Sequence, residues 1–534
     1  MSEIAIALSR FGLGGRIEQS PPANARAWLT GQLDRFEPRP EPIAAAPQRL
    51  EVVTELANYL EEVRGQGGAM LRQAGDSTPG ERPLRRGRRR RMMMGAQGAG
   101  ADDAGAMASY GEQPAAPMAA DPARRPADPM DPLEQNIAGL PESARRFIRR
   151  AAREQYLGMV AARTNAALTT PAPFVERMVH FWANHFAVSA DKLTVIGLAG
   201  LLEFEAVRPH VLGKFRDMLV AVEQHPAMLL YLDQAQSIGP NSRAANIVAR
   251  FGRGQQRRGL NENLAREILE LHTLGADGGY GQADVTELAR AMTGWTVSGL
   301  TRGPARRFLG DVDAPGQFHF AEAIHEPGAR TLLGRSYADA GEAQARAILD
   351  DLAASPRTAR HLATKLARHF AGDEPPAAMV ERLTQAYLRS DGDLPTLYRT
   401  IVQSPEVWTP QAARFRSPWD WSVAALRAVG ARQVEAPQAG RLLAQLGQAP
   451  WRPGSPAGFD DLDATWMGPD ALMRRVEAAE RLAGRAGNAI DARALAPRIL
   501  PGAVSDSTAQ AIARAESPTQ GLALLLVAPE FLRR

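Results

Sequence analysis

The chain has no cysteine. Disulfides, thiolate zinc sites, iron–sulfur clusters and cysteine nucleophiles are therefore excluded, and any metal must be held by His, Asp, Glu or Asn. Lysine is almost missing too: of 63 basic side chains, only Lys192, Lys214 and Lys365 are lysines. Arginine is spread along the whole chain, so this skew reads as base composition rather than as arginine chemistry. No run approaches the roughly 18 apolar residues that span a bilayer. The start, "MSEIAIALSRFGLGG", places acidic Glu3 where an export signal carries basic residues, and its apolar run of about six residues is short for one, so the expected location is cytoplasmic. Also missing are an HExxH zinc helix, a GxSxG elbow, a Walker loop and an EF-hand loop. The "GLGG" of Gly12 to Gly15 follows no strand and is expected to be a turn.

What remains is an ordinary globular composition, 45% hydrophobic and 23% charged over 534 residues with net charge +4, enough for a sizeable core. The character changes between residues 65 and 132, which are rich in Gly, Pro, Ala and Arg and hold one aromatic residue, Tyr110. Such a segment buries too little apolar area to offset the entropy of ordering, so a disordered insertion is expected there. It divides an N-terminal helical region, 1–64, which belongs to the main fold, from the main helical domain, 133–534. Within it Arg85, Arg86, Arg88, Arg89, Arg90 and Arg91 form a cluster without interleaved aromatics, expected to bind polyanions non-specifically at most and no specific nucleic acid.

After Asp131, apolar residues recur at spacings of three and four in segment after segment, among them Pro173 to Val188, Phe204 to Leu232, Asn261 to Leu274, Arg357 to Ala371, Leu394 to Gln403 and Pro418 to Val429. Strand-like alternation is scarce. The best case, "GQFHF" near Phe318, is expected to pair with the region around Leu332. The predicted fold is all-α, a large multi-helix domain with at most a small β-hairpin.

The runs "ERMVHFWANHFAVSADK" (Glu176 to Lys192), "LGKFRDMLVAVEQHPAMLLYLD" (Leu212 to Asp233) and "NENLAREILELHTLGADGGYGQADVTELARAMTGWT" (Asn261 to Thr296) resemble the bacterial family of the domain of unknown function 1800. "HEPGARTLLG", "ATKLARHF" and "SPEVW" follow in that family's order, and the resemblance covers nearly the whole chain outside the insertion. It implies no established activity. It does imply a partner, because members are often encoded beside a protein of the domain of unknown function 1501 family, which resembles sulfatases. Many members carry export signals, which sets the resemblance against the cytoplasmic expectation.

The segment Asn261 to Gly275 carries the densest ionisable chemistry. On a helical wheel Glu262, Asn263, Arg266, Glu267 and Glu270 share an arc of about 140°, while His272 falls among Leu264, Ala265, Ile268 and Leu269. Two readings stand. In one, the polar arc is a solvated i, i+4 charge ladder capped by Asn261, and His272 is a core histidine bonded to a carbonyl. In the other, the arc lines a cleft, with Glu267 or Glu270 as metal ligand or general base and Asn263 and Arg266 orienting a substrate.

On the helix from Pro173, Glu176, His180 and Asn184 form one stripe, while His185 sits about 140° from His180 and is expected to reach another helix. A divalent metal site would combine His185 with Glu267, Glu270, His319 and His325. His361 and His369 share a face with Lys365 and Arg368 that is expected to meet solvent or an acidic partner. "DVTE", Asp284 to Glu287, is expected to be a capping box, and Trp295 either walls a cleft or packs. The functional expectation is a helical partner or assembly protein acting with a second protein. The alternative is a metal-assisted hydrolytic or redox enzyme.

Overall fold

The computed structural model describes residues 1–75, 141–251, 259–300, 315–411 and 414–534. Two compact units are formed, Met1–Glu61 with Asp131–Arg534, and Glu62–Met130. Most of the second unit, including the arginine cluster from Arg85 to Arg91, lies outside the described residues. So does most of the expected insertion, although the helix Arg49–Gly75 (α1) runs past its predicted start.

The described residues of the first unit are mainly helices around a principal core, with a small second apolar cluster of Ile238, Ala244, Ala321 and Ile324. The helices that bear on the site are Arg153–Thr169 (α2), Pro173–His185 (α3), Phe215–Glu223 (α4), Asn263–Glu267 (α5), Gln282–Met292 (α6), Pro356–Ala371 (α7), Pro418–Ala428 (α8) and Pro469–Ala486 (α9). Local chemistry sets their ends. α7 and α8 both begin with a Ser-Pro pair, where the serine hydroxyl accepts a backbone N–H and proline occupies the first turn. α7 then buries Ala359, Leu362, Ala363, Leu366, Ala367 and Phe370 at helical spacing, leaving His361, Lys365, Arg368 and His369 on its other side.

Two segments depart from regular helix. The predicted helix Phe204 to Leu232 is broken into short pieces, with turns around Gly213 and at the His225–Pro226 step. α5 continues as a π-helix over Ile268–Thr273, so its residues do not keep the 100° spacing of the wheel beyond Glu267. α6 starts earlier than predicted: Asp284 accepts the Gly281 N–H at 2.8 Å and therefore sits in the first turn rather than at the cap.

Four short strands make two antiparallel pairs among the described residues. Trp295–Val297 (β1) pairs with Phe318–Phe320 (β2), and Arg330–Leu332 (β3) with Arg335–Tyr337 (β4). The strand at Phe318 was predicted, but its partner is Trp295–Val297 and not the region of Leu332. That region instead closes its own hairpin through Leu333 (φ 50°) and Gly334 (φ 79°), the two left-handed residues of a tight hairpin turn. Trp295 is fully buried and packs against Phe318. No described helix is long and apolar enough to cross a membrane.

Candidate functional site

A cavity of about 460 Å³ lies between α3, α7, the start of α8 and the irregular segment from Gln448 to Asp461. α3 contributes Arg177, His180, Phe181, Asn184 and His185. α7 contributes His361, Lys365, Arg368 and His369, so the face predicted to meet solvent or an acidic partner lines this cavity instead. The loop brings Trp451, Phe459, Asp460 and Asp461, and Trp419, Asp420, Trp466, Arg163, Arg414 and Arg534 complete the wall. Gly458 holds the loop against α3. Its φ is 84°, and a Cβ there would run into the Asn184 carbonyl. Asn184 itself donates to the Phe459 carbonyl and accepts its N–H, both at 2.8 Å.

Most of the arginines are already neutralised. Arg177 bonds both Asp420 oxygens at 2.9 and 3.1 Å, and Arg534 approaches the same carboxylate at 2.9 Å. Burial opposes the charge on Asp420, but Arg177, Arg534 and His369 hold its pKa below the usual carboxylate range. Arg163 pairs with Glu203 at 2.9 Å and lies over the Trp419 ring at 4.1 Å. Arg414 pairs with Asp373 and Asp461. Burial would raise Asp461, yet His369, Arg414 and Arg534 bring it to about 2.

Two cations differ. Among the described residues neither Lys365 nor Arg368 has a carboxylate within ion-pair distance. Lys365 Nζ lies 3.0 Å from His185 Nδ1, and Arg368 Nε donates to the Asp373 carbonyl at 3.3 Å. Burial is the main cause that lowers the Lys365 pKa to about 8.

The histidines are held in defined tautomers. A carbonyl can only accept, so His185 Nε2, 3.1 Å from the His272 carbonyl, carries the proton and Nδ1 accepts from Lys365. In the same way His361 donates from Nε2 to the Leu271 carbonyl at 3.2 Å. These carbonyls belong to the end of the π-helical segment, where backbone acceptors lack partners within the helix. Burial, then Lys365, pushes His185 well below its ordinary pKa, and the same causes bring His361 to about 4. Burial and Arg534 bring His369 to about 4. All three are neutral near pH 7.

The residues singled out in the sequence are distributed otherwise. Asn263, Arg266, Glu267 and Glu270 do not line the cavity. Asn261 Oδ1 accepts the Asn263 N–H at 2.9 Å, and Arg266 bonds Glu262 and Gln282 at 3.3 and 3.1 Å. Glu262 also accepts from Gln282 and Thr286, both at 2.7 Å. Burial raises the pKa of half-buried Glu267, and burial together with the nearby Glu270 carboxylate raises that of Tyr280. His272 is in the core as predicted, but its Nδ1 donates to the Glu223 carboxylate at 2.7 Å rather than to a carbonyl.

The stripe on α3 divides in a comparable way. Glu176 is buried against Arg208 at 2.6 and 3.0 Å with His180 Nε2 3.5 Å from its carboxylate, His180 Nδ1 accepts from Trp419 Nε1 at 3.0 Å, and Asn184 alone of the three bonds the loop. His319 sits on β2 opposite Thr296. His325 donates to the Thr293 carbonyl at 2.8 Å and borders a different hollow, with Glu322 and Asp339. Of the proposed ligands only His185 reaches the cavity. Among the described residues no group of three or more His, Asp or Glu stands close enough to hold a metal ion.

The loop "PWRPGSPAGFDD", Pro450 to Asp461, and the "SPWDW" start of α8 carried no expectation of function. A signal was present: a Pro- and Gly-rich segment that keeps two aromatic residues and two acids between helices is an irregular loop with side chains to place.

No curated protein and no solved structure matches the chain. A family model described as "Protein of unknown function (DUF1800)" matches residues 6–533, and the chain belongs to that family.

Proposed function

We propose that the chain binds a small organic anion with a flat, unsaturated portion in this cavity. The observation that carries this reading is the pair Lys365 and Arg368 on one face of α7, two cations that among the described residues have no carboxylate within ion-pair distance, in a cavity also lined by Trp419, Trp451 and Phe459. A carboxylate or phosphate would complete the charge of the pair, and the rings would cover the apolar part. Benzoate and phenyl phosphate are suitable probes. Titrated into the full chain and followed by calorimetry, they should bind saturably and more weakly as salt rises. Arg368→Gln should weaken binding about tenfold, the worth of one charge-assisted hydrogen bond. Absence of saturable binding, or an unchanged affinity in the variant, overturns the reading.

A second reading, a protein that works against a partner, is favoured by Leu462, Met467, Leu472, Met473 and Val476. These exposed apolar side chains follow the irregular segment that lines the cavity, and Met473 is 61% exposed. The family suggests a sulfatase-like protein of the domain of unknown function 1501 as that partner. Co-expression with that protein should give a complex that Met473→Asp weakens, and equal recovery of both complexes counts against this surface. The metal-assisted alternative has less support, since His185, Glu267, Glu270, His319 and His325 do not converge. Stoichiometric divalent metal in the purified chain would restore it.

A further inference from the structure

We propose that Lys365 is a carbonyl-reactive amine that forms an imine with an aldehyde or ketone group of the anion bound in the cavity, an inference that rests on the anion reading above. The geometry begins with His185. Its Nε2–H is committed to the His272 carbonyl at 3.1 Å, so Nδ1 presents a lone pair to Lys365 Nζ at 3.0 Å. A neutral Lys365 keeps one N–H on His185, and its own lone pair must then point away from that ring. The side chain lines the cavity, and among the described residues no carboxylate lies within ion-pair distance to hold it as an ammonium.

Asp461, on the loop that lines the same cavity, favours the ammonium, whereas Arg368, three residues further along the same helical face, disfavours a second positive charge and supplies the counter-charge for the ligand's anionic group. Burial lowers the pKa of the amine to about 8, which leaves a substantial neutral fraction near neutral pH. The other two lysines are different. Lys192 pairs with Asp233 at 2.8 Å and Lys214 with Asp391 at 2.6 Å.

The step balances without an oxidant or reductant. The nitrogen lone pair attacks the carbonyl carbon, a C–N bond forms, and the electrons of the C=O π bond move to oxygen. The nitrogen sheds its two protons in turn, and His185 Nδ1 accepts each and passes it to the departing oxygen. As the C–O bond breaks, the nitrogen lone pair forms the second C–N bond, water leaves with both protons, and the neutral imine remains.

The test uses the wild-type full chain, 4-carboxybenzaldehyde as probe, and cyanoborohydride to trap the imine as a stable secondary amine, located by peptide mass mapping. Lys365 should be labelled about tenfold or more faster than Lys192 or Lys214 near pH 7.5, because an ordinary lysine titrates near 10.4 and is almost wholly protonated there. The rate should reach half its maximum near pH 8, and benzoate should protect Lys365 without protecting the chain's α-amino group. Lys365→Met should remove the fast label. Labelling of all three lysines at similar rates, or an unlabelled Lys365 in a chain that binds benzoate, overturns the imine while leaving the anion site standing. Fast labelling of Lys365 that benzoate does not slow, in a chain that binds neither benzoate nor phenyl phosphate, overturns the anion site instead.

Discussion

Two polar helical faces can be compared, the arc Glu262 to Glu270 on α5 and its π-helical continuation, and the arc His361 to His369 on α7. Both are amphipathic in sequence, and the first is the richer in carboxylates. In the structure the first is largely engaged with its own neighbourhood: Glu262, Arg266, Gln282 and Thr286 bond one another across α5 and α6. The second opens onto a cavity, with two cations that no carboxylate pairs with among the described residues. An amphipathic pattern states that a face is polar, but it does not state whether water, a neighbouring helix or a ligand meets it. The α5 segment still matters to the cavity through its backbone, because the carbonyls of Leu271 and His272 fix the rings of His361 and His185.

The comparison is broken most severely from the cavity side. Asp420→Ala leaves Arg177 and Arg534 buried around an absent counter-charge, and removal of one partner from such a pair costs on the order of 3–5 kcal/mol. Denaturant unfolding should show the midpoint fall accordingly. A loss under about 1 kcal/mol would mean that water already screens this cluster.

Lys365→Met acts in the opposite direction. The folded-state pKa of about 8 lies below the ordinary value near 10.4, so the folded protein releases this proton before the unfolded chain does. Well below pH 8 the amine is charged in both states and the burial penalty is full. Between pH 8 and 10.4 the penalty fades, and above that range it is gone. The Met variant should therefore be more stable than wild type at pH 7 by about 1–2 kcal/mol, after allowance for solvent in the cavity, with the advantage vanishing above pH 10.4. Urea unfolding across that range checks it, and a pH-independent difference would place the effect in packing.

The smallest effect belongs to the α5 arc. Glu267→Gln and Glu270→Gln should each shift stability by less than about 0.5 kcal/mol and leave benzoate affinity unchanged, because neither side chain lines the cavity. A tenfold loss of affinity in either variant would erase the distinction between the two faces.

Much of the fold was legible in the chain. The helix Leu394–Gln403 lies at its predicted bounds, and those of α7 and α8 differ from prediction by one residue at an end. These segments state their own limits through caps, Ser-Pro starts and local spacing. The candidate site was legible only in fragments. His185 was expected to reach another helix, and it meets Lys365 of α7. His361, Lys365, Arg368 and His369, expected to meet solvent or an acidic partner, line a cavity that the local pattern did not announce. The loop from Pro450 to Asp461 has no periodicity to read.

The sequence by itself determined a mainly helical chain without thiol chemistry, the ends of several helices, and which faces are polar, because each follows from contacts within four residues along the chain. Only the tertiary structure decided which polar face turns inward, which strand Phe318 joins, and which charges remain unpaired. Those outcomes depend on partners such as Arg177 and Asp420, 243 residues apart, or Lys365 and His185, 180 apart. No local pattern encodes such pairings, because packing of the whole core brings the partners together.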